Sequence, residues 1–390
     1  MLITSGPPSF EGFGPSRFYG RVRVLNELAV GAQRRTTRRR IREHCPAQPG
    51  VYGMLDEAGE LAYIGQSKRL RQRLLSYFSR AADGKAKHIA AAAARIVWET
   101  SPHELTAQLR ELELIRRWRP RFNRRGMPGR RGRAYICLGR APAPHAYLAA
   151  APARTAEQVF GPVRAGRRTQ RALAIVNDLL QLRDCPEPVT MVFRDQAELF
   201  DEPRQPRCLR YDLGACLGPC FGGCSRRQYA AHVRQAAALF DGDRTCHDRL
   251  AAELVVAAKA RRYEQAAMLR DKLVDLQWLA DELGRLRHAR REFSFIYPIA
   301  GASGRPRWYL LRGGDVRGVV SRPETAESAE KCLERLDSIY GRAVAVGETP
   351  EDTEVVQLVA GWFRSRPKEL ARTMTIERAS DHCRSLRVSV

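Results

Sequence analysis

Two short apolar runs stand close together near the start of the chain. Gly50-Val51-Tyr52-Gly53-Met54-Leu55 and Leu61-Ala62-Tyr63-Ile64-Gly65 flank the polar stretch Asp56-Glu57-Ala58-Gly59-Glu60. That pattern predicts a β-hairpin with a five-residue, glycine-containing loop. A basic helix is predicted over 70–78, an alanine-rich one over 87–94 and a third strand over 95–100. Leu105, Leu109, Leu112 and Ile115 recur at helical spacing, so 103–118 reads as a helix stopped by Pro120. A strand at 134–138 and a helix at 169–182 follow between proline-rich connectors. Residues 228–240 and 247–286 are strongly helical, and Ala257, Ala258, Ala266 and Ala267 suit two short antiparallel helices within 251–279. Beyond 292 the pattern returns to strands at 293–299 and 308–320 around Gly313-Gly314-Asp315, and helices at 327–340 and 354–364 close the chain. The expected fold class is α+β. Its expected parts are a basic N-terminal arm (1–45), a compact α/β unit (46–126), a connector with a cysteine-rich region (134–245), a helical hairpin (247–286) and a small C-terminal α+β module (292–390).

Composition narrows the classes. The chain has 390 residues, of which 44% are hydrophobic, enough to build real cores. No apolar run approaches the ~18 residues that suggest a membrane span. Residues 1–17 lack the apolar core of a secretory signal, and ten cysteines are too few for a secreted disulfide scaffold. A reducing cytoplasm is therefore expected, where clustered cysteines favour metal over disulfide. The formal charge of +24 asks for a polyanion, and it is concentrated. Nine arginines lie in 1–45, with a knot at Arg34, Arg35, Arg38, Arg39 and Arg40, and eleven lie in 110–140. Such runs also occur as solvated helix faces.

The hairpin offers chemistry. Tyr52 and Tyr63 on paired strands present hydroxyls to one surface, and Gly50, Gly53 and Gly65 leave room for close approach. Arg73 follows on the basic helix, and Glu111 is a carboxylate on the helix beyond. Phosphodiester hydrolysis needs a base, a cation for the developing charge and usually a metal on carboxylate oxygen. Tyrosine, arginine and glutamate can fill those roles, although strand-forming tyrosines and a surface-paired Glu111 would look the same by spacing alone.

The stretches Pro49-Gly50-Val51-Tyr52 and Ala62-Tyr63-Ile64-Gly65-Gln66-Ser67-Lys68-Arg69-Leu70-Arg71-Gln72-Arg73-Leu74 resemble the signature of the GIY-YIG nuclease family, in the form found in UvrC-like excinucleases. Glu111, followed by Pro120-Arg121-Phe122-Asn123, resembles that family's second motif. The resemblance implies paired catalytic tyrosines at Tyr52 and Tyr63, a phosphate-stabilising Arg73, a Glu111 that holds Mg²⁺ or Mn²⁺, and a bracing Asn123. It also implies double-stranded, damaged DNA as substrate and places Gly65, Gln66, Lys68, Arg69 and Arg71 against it. This chain departs from the family at Gln66, where lysine is frequent, with Lys68 as the nearest replacement.

Cys208, Cys216, Cys220 and Cys224, with Cys185 upstream, can turn thiolates onto one soft metal around Gly218-Pro219 and Gly222-Gly223. Residues 208–220 resemble the cysteine motif that follows the family's nuclease domain, which implies a [4Fe-4S] cluster. Zn²⁺ and structural thiols remain alternatives. The sequence from Tyr263 to Leu273 resembles the UVR motif, implying that Tyr263, Glu264, Arg270 and Asp271 meet a helical hairpin of UvrB. About 100 residues remain beyond it, too few for the family's second nuclease domain. The expectation is a single, 3′-side incision near damage in nucleotide excision repair. The rivals are a DNA- and UvrB-binding adaptor with impaired catalysis and a mobile-element endonuclease of the same family.

Overall fold

The computed structural model describes residues 10–19, 24–123, 132–185, 189–197, 208–300, 306–341 and 350–388. The first nine residues of the expected arm, and Arg124, Arg125, Arg130 and Arg131 of the second arginine block, lie outside these. The chain forms two compact units, residues 1–130 together with 289–390, and residues 131–288.

The first unit begins with β1 (Asn26–Ala29), α1 (Arg34–His44), β2 (Gly50–Leu55), β3 (Leu61–Ser67), α2 (Leu70–Tyr77), α3 (Gly84–Ala92), β4 (Arg95–Thr100) and α4 (Glu104–Trp118). The strands form one antiparallel sheet in the order β1-β4-β2-β3. Every residue of β2 is buried, because helices cover both faces of the sheet. Alternation along the strand decides which residue meets which helix. Tyr52 and Met54 pack with Ile41, Leu70, Leu74 and Ile89 of the first three helices. Val51 and Leu55 pack with Ala107, Leu114 and Ile115 of α4. A register shift opposite Met54 and Leu55 lets both Leu61 and Ile64 join the α4 side.

Two sequence expectations change here. Residues 26–45 are not an arm: β1 is a sheet strand, and α1 is anchored by buried Thr37 and Ile41 while Arg38 donates to the Leu75 carbonyl at 2.8 Å. The second arginine block is in large part structural. Arg110 is 1% exposed and bonds to Glu99 at 2.7 Å and Glu113 at 2.6 Å. It also donates to the carbonyls of Phe13, Gly14 and Pro15, which pins the N-terminal segment onto α4. Arg116 pairs with Glu354 at 2.7 Å and Arg121 with Asp56 at 3.0 Å. A count of charges cannot separate such buried or paired cations from a DNA-facing surface.

The second unit contains β5 (Arg133–Leu138), β6 (Ala146–Ala149) and β7 (Gln158–Arg164), with β5 central. Helices α5 (Arg167–Leu179), α6 (Arg194–Ala197), α7 (Leu209–Asp212), α8 (Arg226–Asp241), α9 (Thr245–Lys259) and α10 (Tyr263–Glu292) follow. A capping box between Ser225 and Gln228 starts α8, and Gly242 in the left-handed region ends it. The expected pair of short helices is instead a 15-residue α9 and a 30-residue α10. They meet at Arg261, which takes a positive φ of 55°.

The chain then completes the first unit. A meander of β8 (Phe295–Ala300), β9 (Pro306–Arg312) and β10 (Asp315–Ser321) is followed by α11 (Ala326–Tyr340), α12 (Pro350–Ser365), α13 (Pro367–Leu370) and α14 (Ile376–Val388). The last helix was not expected; Ala379 and Cys383 bury it against Cys332 and Leu336 of α11. This segment is built onto the front of the unit. The Tyr309 hydroxyl donates to the Phe18 carbonyl at 2.9 Å and lies 2.8 Å from the Thr106 hydroxyl on α4. Arg366 reaches Glu104 at 3.0 Å. Ion pairs to the C-terminal segment thus form near both ends of α4, the helix that carries Glu111.

Candidate active site

Tyr52, Tyr63, Arg73, Glu111 and Asn123 line one cavity of about 930 Å³ in the first unit. Four elements and the turn after α4 deliver them. Tyr52 lies opposite Gly65 in the β2–β3 ladder, and Tyr63 lies opposite Met54, so both phenols project from one face. Their rings stand 6.2 Å apart. Gly65 is required by this arrangement: a Cβ there would sit 2.5 Å from the Tyr52 Oη. We expect Gly65→Ala to displace the Tyr52 phenol and lower the cleavage rate by about 10²-fold, since a shift near 1 Å has that order of effect. A nicking assay beside a thermal melt checks it; wild-type rate in a folded variant would contradict the packing argument.

Asn123 is 5% exposed and clasps β3: its Oδ1 accepts from the Ile64 N–H at 2.9 Å and its Nδ2 donates to the Ile64 carbonyl at 2.8 Å. The bonds fix the turn after α4 to the strand bearing Tyr63. Arg73 on α2 donates from Nε to Tyr52 Oη at 3.2 Å and from Nη2 to Tyr77 Oη at 3.3 Å. Tyr77 was not singled out in the sequence. Its hydroxyl lies 2.9 Å from that of Tyr52, and its ring is about equally close to both other tyrosines. Its place four residues after Arg73, on the same helix face, is the signal that could have found it. Lys85 of α3, also unexpected, lines the cavity.

Electrostatics set the resting state. Burial raises the Tyr52 phenol well above its usual range, with Tyr77 and Tyr63 adding to the effect. Burial also raises Tyr63, again reinforced by Tyr77, with Glu111 raising it further and Lys85 acting against the rise. Both phenols are therefore neutral at physiological pH. Tyr52 is completely buried while Tyr63 is partly exposed, so Tyr63 is the phenol that water can reach.

The expected DNA-facing residues separate. Gln66 lines the cavity, and Gly65 lies under Tyr52. Lys68 and Arg69 are exposed on the turn between β3 and α2 and do not line the cavity. Arg71 donates to the Cys45 carbonyl at 2.6 Å, tying α2 to the end of α1.

In the second unit, Cys185, Cys208, Cys216 and Cys220 line a cavity of about 490 Å³. Cys224 is not part of that lining; it is 2% exposed in the helical core, and burial pushes its thiol up to about 11. Burial raises the Cys216 and Cys220 thiols as well. Among the described residues no three His, Cys, Asp or Glu side chains stand in metal-holding geometry. Four thiols line the cavity, but among the described residues they do not form a ligand set that would support an iron–sulfur cluster. On α10, Tyr263, Glu264, Arg270 and Asp271 are exposed, and Arg270 pairs with Asp271 at 2.9 Å. Val255, Val256, Met268 and Val274 add exposed apolar area on the same helix pair.

The model of the UvrC-like GIY-YIG domain matches residues 48–124, and that of the UvrC/Cho excinuclease middle domain matches 134–239. Residues 48–124 thus form a UvrC-like GIY-YIG domain. A UvrABC system protein C of Alcanivorax borkumensis is 32% identical over 237 residues, 60% of this chain and 37% of the relative. Another, of Pseudomonas putida, is 30% identical over 242 residues, 61% of this chain and 38% of the relative. The chain thus spans under two fifths of the length of these relatives. The GIY-YIG N-terminal endonuclease domain of Thermotoga maritima UvrC, solved with its catalytic magnesium, is 33% identical and aligns with 22% of this chain and 96% of its own, with a TM-score of 0.20. The matched stretch 48–124 contains all five residues read from the sequence as catalytic. Among the described residues no helix is long and apolar enough to cross a membrane.

Proposed function

We propose that this chain is a metal-dependent DNA endonuclease that makes one incision, on the 3′ side of damage, in nucleotide excision repair, recruited by UvrB. The observation that carries the reading is the convergence of Tyr52, Tyr63, Arg73, Glu111 and Asn123 on one cavity. The donor set fits a hard cation: the Glu111 carboxylate stands among phenol and amide oxygens, which suit Mg²⁺ or Mn²⁺. A bound divalent ion would neutralise charge developing on the phosphate.

The chain's own groups do the rest. Arg73, its guanidinium already aimed by Tyr52 and Tyr77, stabilises the phosphoryl oxygens. Tyr63 is the base once its own proton has passed to solvent: as phenolate it takes the proton of the attacking water, directly or through one water, as the P–O bond to the leaving strand breaks. Asn123 holds β3 so that Tyr63 keeps its position. The α9–α10 pair, with Tyr263, Glu264, Arg270 and Asp271 on its exposed side, is the proposed UvrB contact.

The test is cleavage of an end-labelled duplex carrying one lesion, with UvrB and Mg²⁺ or Mn²⁺. One cut 3′ to the lesion that needs both metal and UvrB is expected. UvrB-independent cutting at a fixed sequence would favour a mobile-element enzyme, and UvrB and DNA binding without any cut would favour an adaptor.

A further inference from the structure

The catalytic cavity holds a cation that the scheme above leaves without a task. Among its described lining residues, three are basic: Arg73, Lys85 and Arg121. Arg73 is engaged with two phenols and Arg121 with Asp56. Lys85 is exposed and forms no ion pair among the described residues. It sits in the first turn of α3, whose start is fixed by the Asp83 side chain accepting from the Ala86 N–H at 2.6 Å. From there its ammonium lies 5.6 Å from the centroid of the Tyr63 ring, within the range of a cation–π contact. Gln66, which follows Gly65 directly, lines the same cavity with a neutral amide whose Oε1 is buried without a hydrogen-bond partner. The position beside Tyr63 that would bring positive charge from β3 is therefore uncharged, and the charge arrives from α3 instead. Lys68, the nearest replacement in sequence, lies outside the cavity lining.

We propose that Lys85 is a catalytic residue whose ammonium contacts a non-bridging oxygen of the scissile phosphate beside Tyr63. The inference rests on the nuclease reading above. The part of Lys85 is electrostatic: the ammonium neutralises charge that grows on the phosphate and favours negative charge on the neighbouring phenol. Its charge also opposes the rise that burial imposes on the Tyr63 phenol. A flexible ammonium reaching in from a separate helix adapts to the phosphate as a point charge, where a rigid guanidinium would demand a planar, bidentate geometry.

The experiment is steady-state cleavage of the labelled lesion duplex by the full chain with UvrB and Mg²⁺, comparing Lys85→Ala, Lys85→Arg, Lys87→Ala and Glu111→Gln. Lys85→Ala should lower kcat by about 10²-fold, the effect of removing one charge-stabilising donor. Lys85→Arg should recover about 10-fold of that loss by restoring the charge. Lys87→Ala, two residues on and thus on the opposite side of α3, outside the cavity lining, should stay near wild type. Thermal midpoints should agree across the series, since Lys85 is exposed and unpaired. An unchanged kcat in Lys85→Ala, or a rise in KM alone, overturns the assignment provided Glu111→Gln is dead. If Glu111→Gln cuts like wild type, the reading of this cavity as the cutting centre falls, and Lys85 falls with it.

Discussion

Glu111→Gln should lower metal-dependent cleavage by about 10³-fold or more while leaving the fold intact. Glu111 contributes a carboxylate to the cavity wall, and glutamine keeps its size but removes the formal charge that binds a hard cation. Several kcal/mol of transition-state stabilisation ride on such a cation, and each ~1.4 kcal/mol is a factor of ten. Cleavage measured across a Mg²⁺ and Mn²⁺ titration separates the two ways of losing activity. Weakened metal binding shifts the half-saturation point, whereas a lost chemical role lowers the plateau. Retention of activity within about tenfold at ordinary Mg²⁺ would remove Glu111 from the proposed metal site.

Arg110→Ala should be the most damaging replacement for stability in the first unit. The guanidinium is buried with Glu99, itself 2% exposed, and serves three carbonyls of the N-terminal segment besides. Removing one partner of a buried pair leaves an uncompensated charge and costs about 3–5 kcal/mol. For a unit of this size that corresponds to a fall in Tm of roughly 10 °C. Calorimetry of the variant checks it, and the double replacement Glu99→Gln with Arg110→Met should recover part of the loss because no lone buried charge remains. A fall under about 1 kcal/mol would mean that the pair behaves like one at the surface.

Both replacements lie next to each other in sequence, yet only the placing of Glu111 in the cavity was legible there. Glu111 stood out because a signature with fixed order surrounds it. Arg110 looked like one of many cations, and only the fold shows that Glu99 and the Phe13–Pro15 carbonyls enclose it. The same division runs through the molecule. The hairpin, β4 and α4 follow from local alternation and helical spacing, so their limits were readable. β1 is four residues, Asn-Glu-Leu-Ala, with no pattern of its own; its state is decided by pairing with β4. The polar helix α14 is held by two small buried residues, too weak a stripe to read. Tyr77 and Lys85 reach the cavity from α2 and α3, and their convergence with the paired tyrosines depends on how those helices cross the sheet. The cysteine group was legible as a cluster but not as a ligand set, since Cys224 turns into the core.

The catalytic unit is written in two instalments, with residues 131–288 between them. On a ribosome adding ~5–20 residues per second, the stretch through Asn123 emerges well before Tyr309, Glu354 and Arg366 exist to brace α4, and before Leu358 can supply its part of the cavity wall. The delay amounts to roughly ten to fifty seconds. During translation the tyrosine-bearing hairpin is thus present without the support it later receives, and completion of the proposed cutting centre is tied to synthesis of sequence far downstream of its signature.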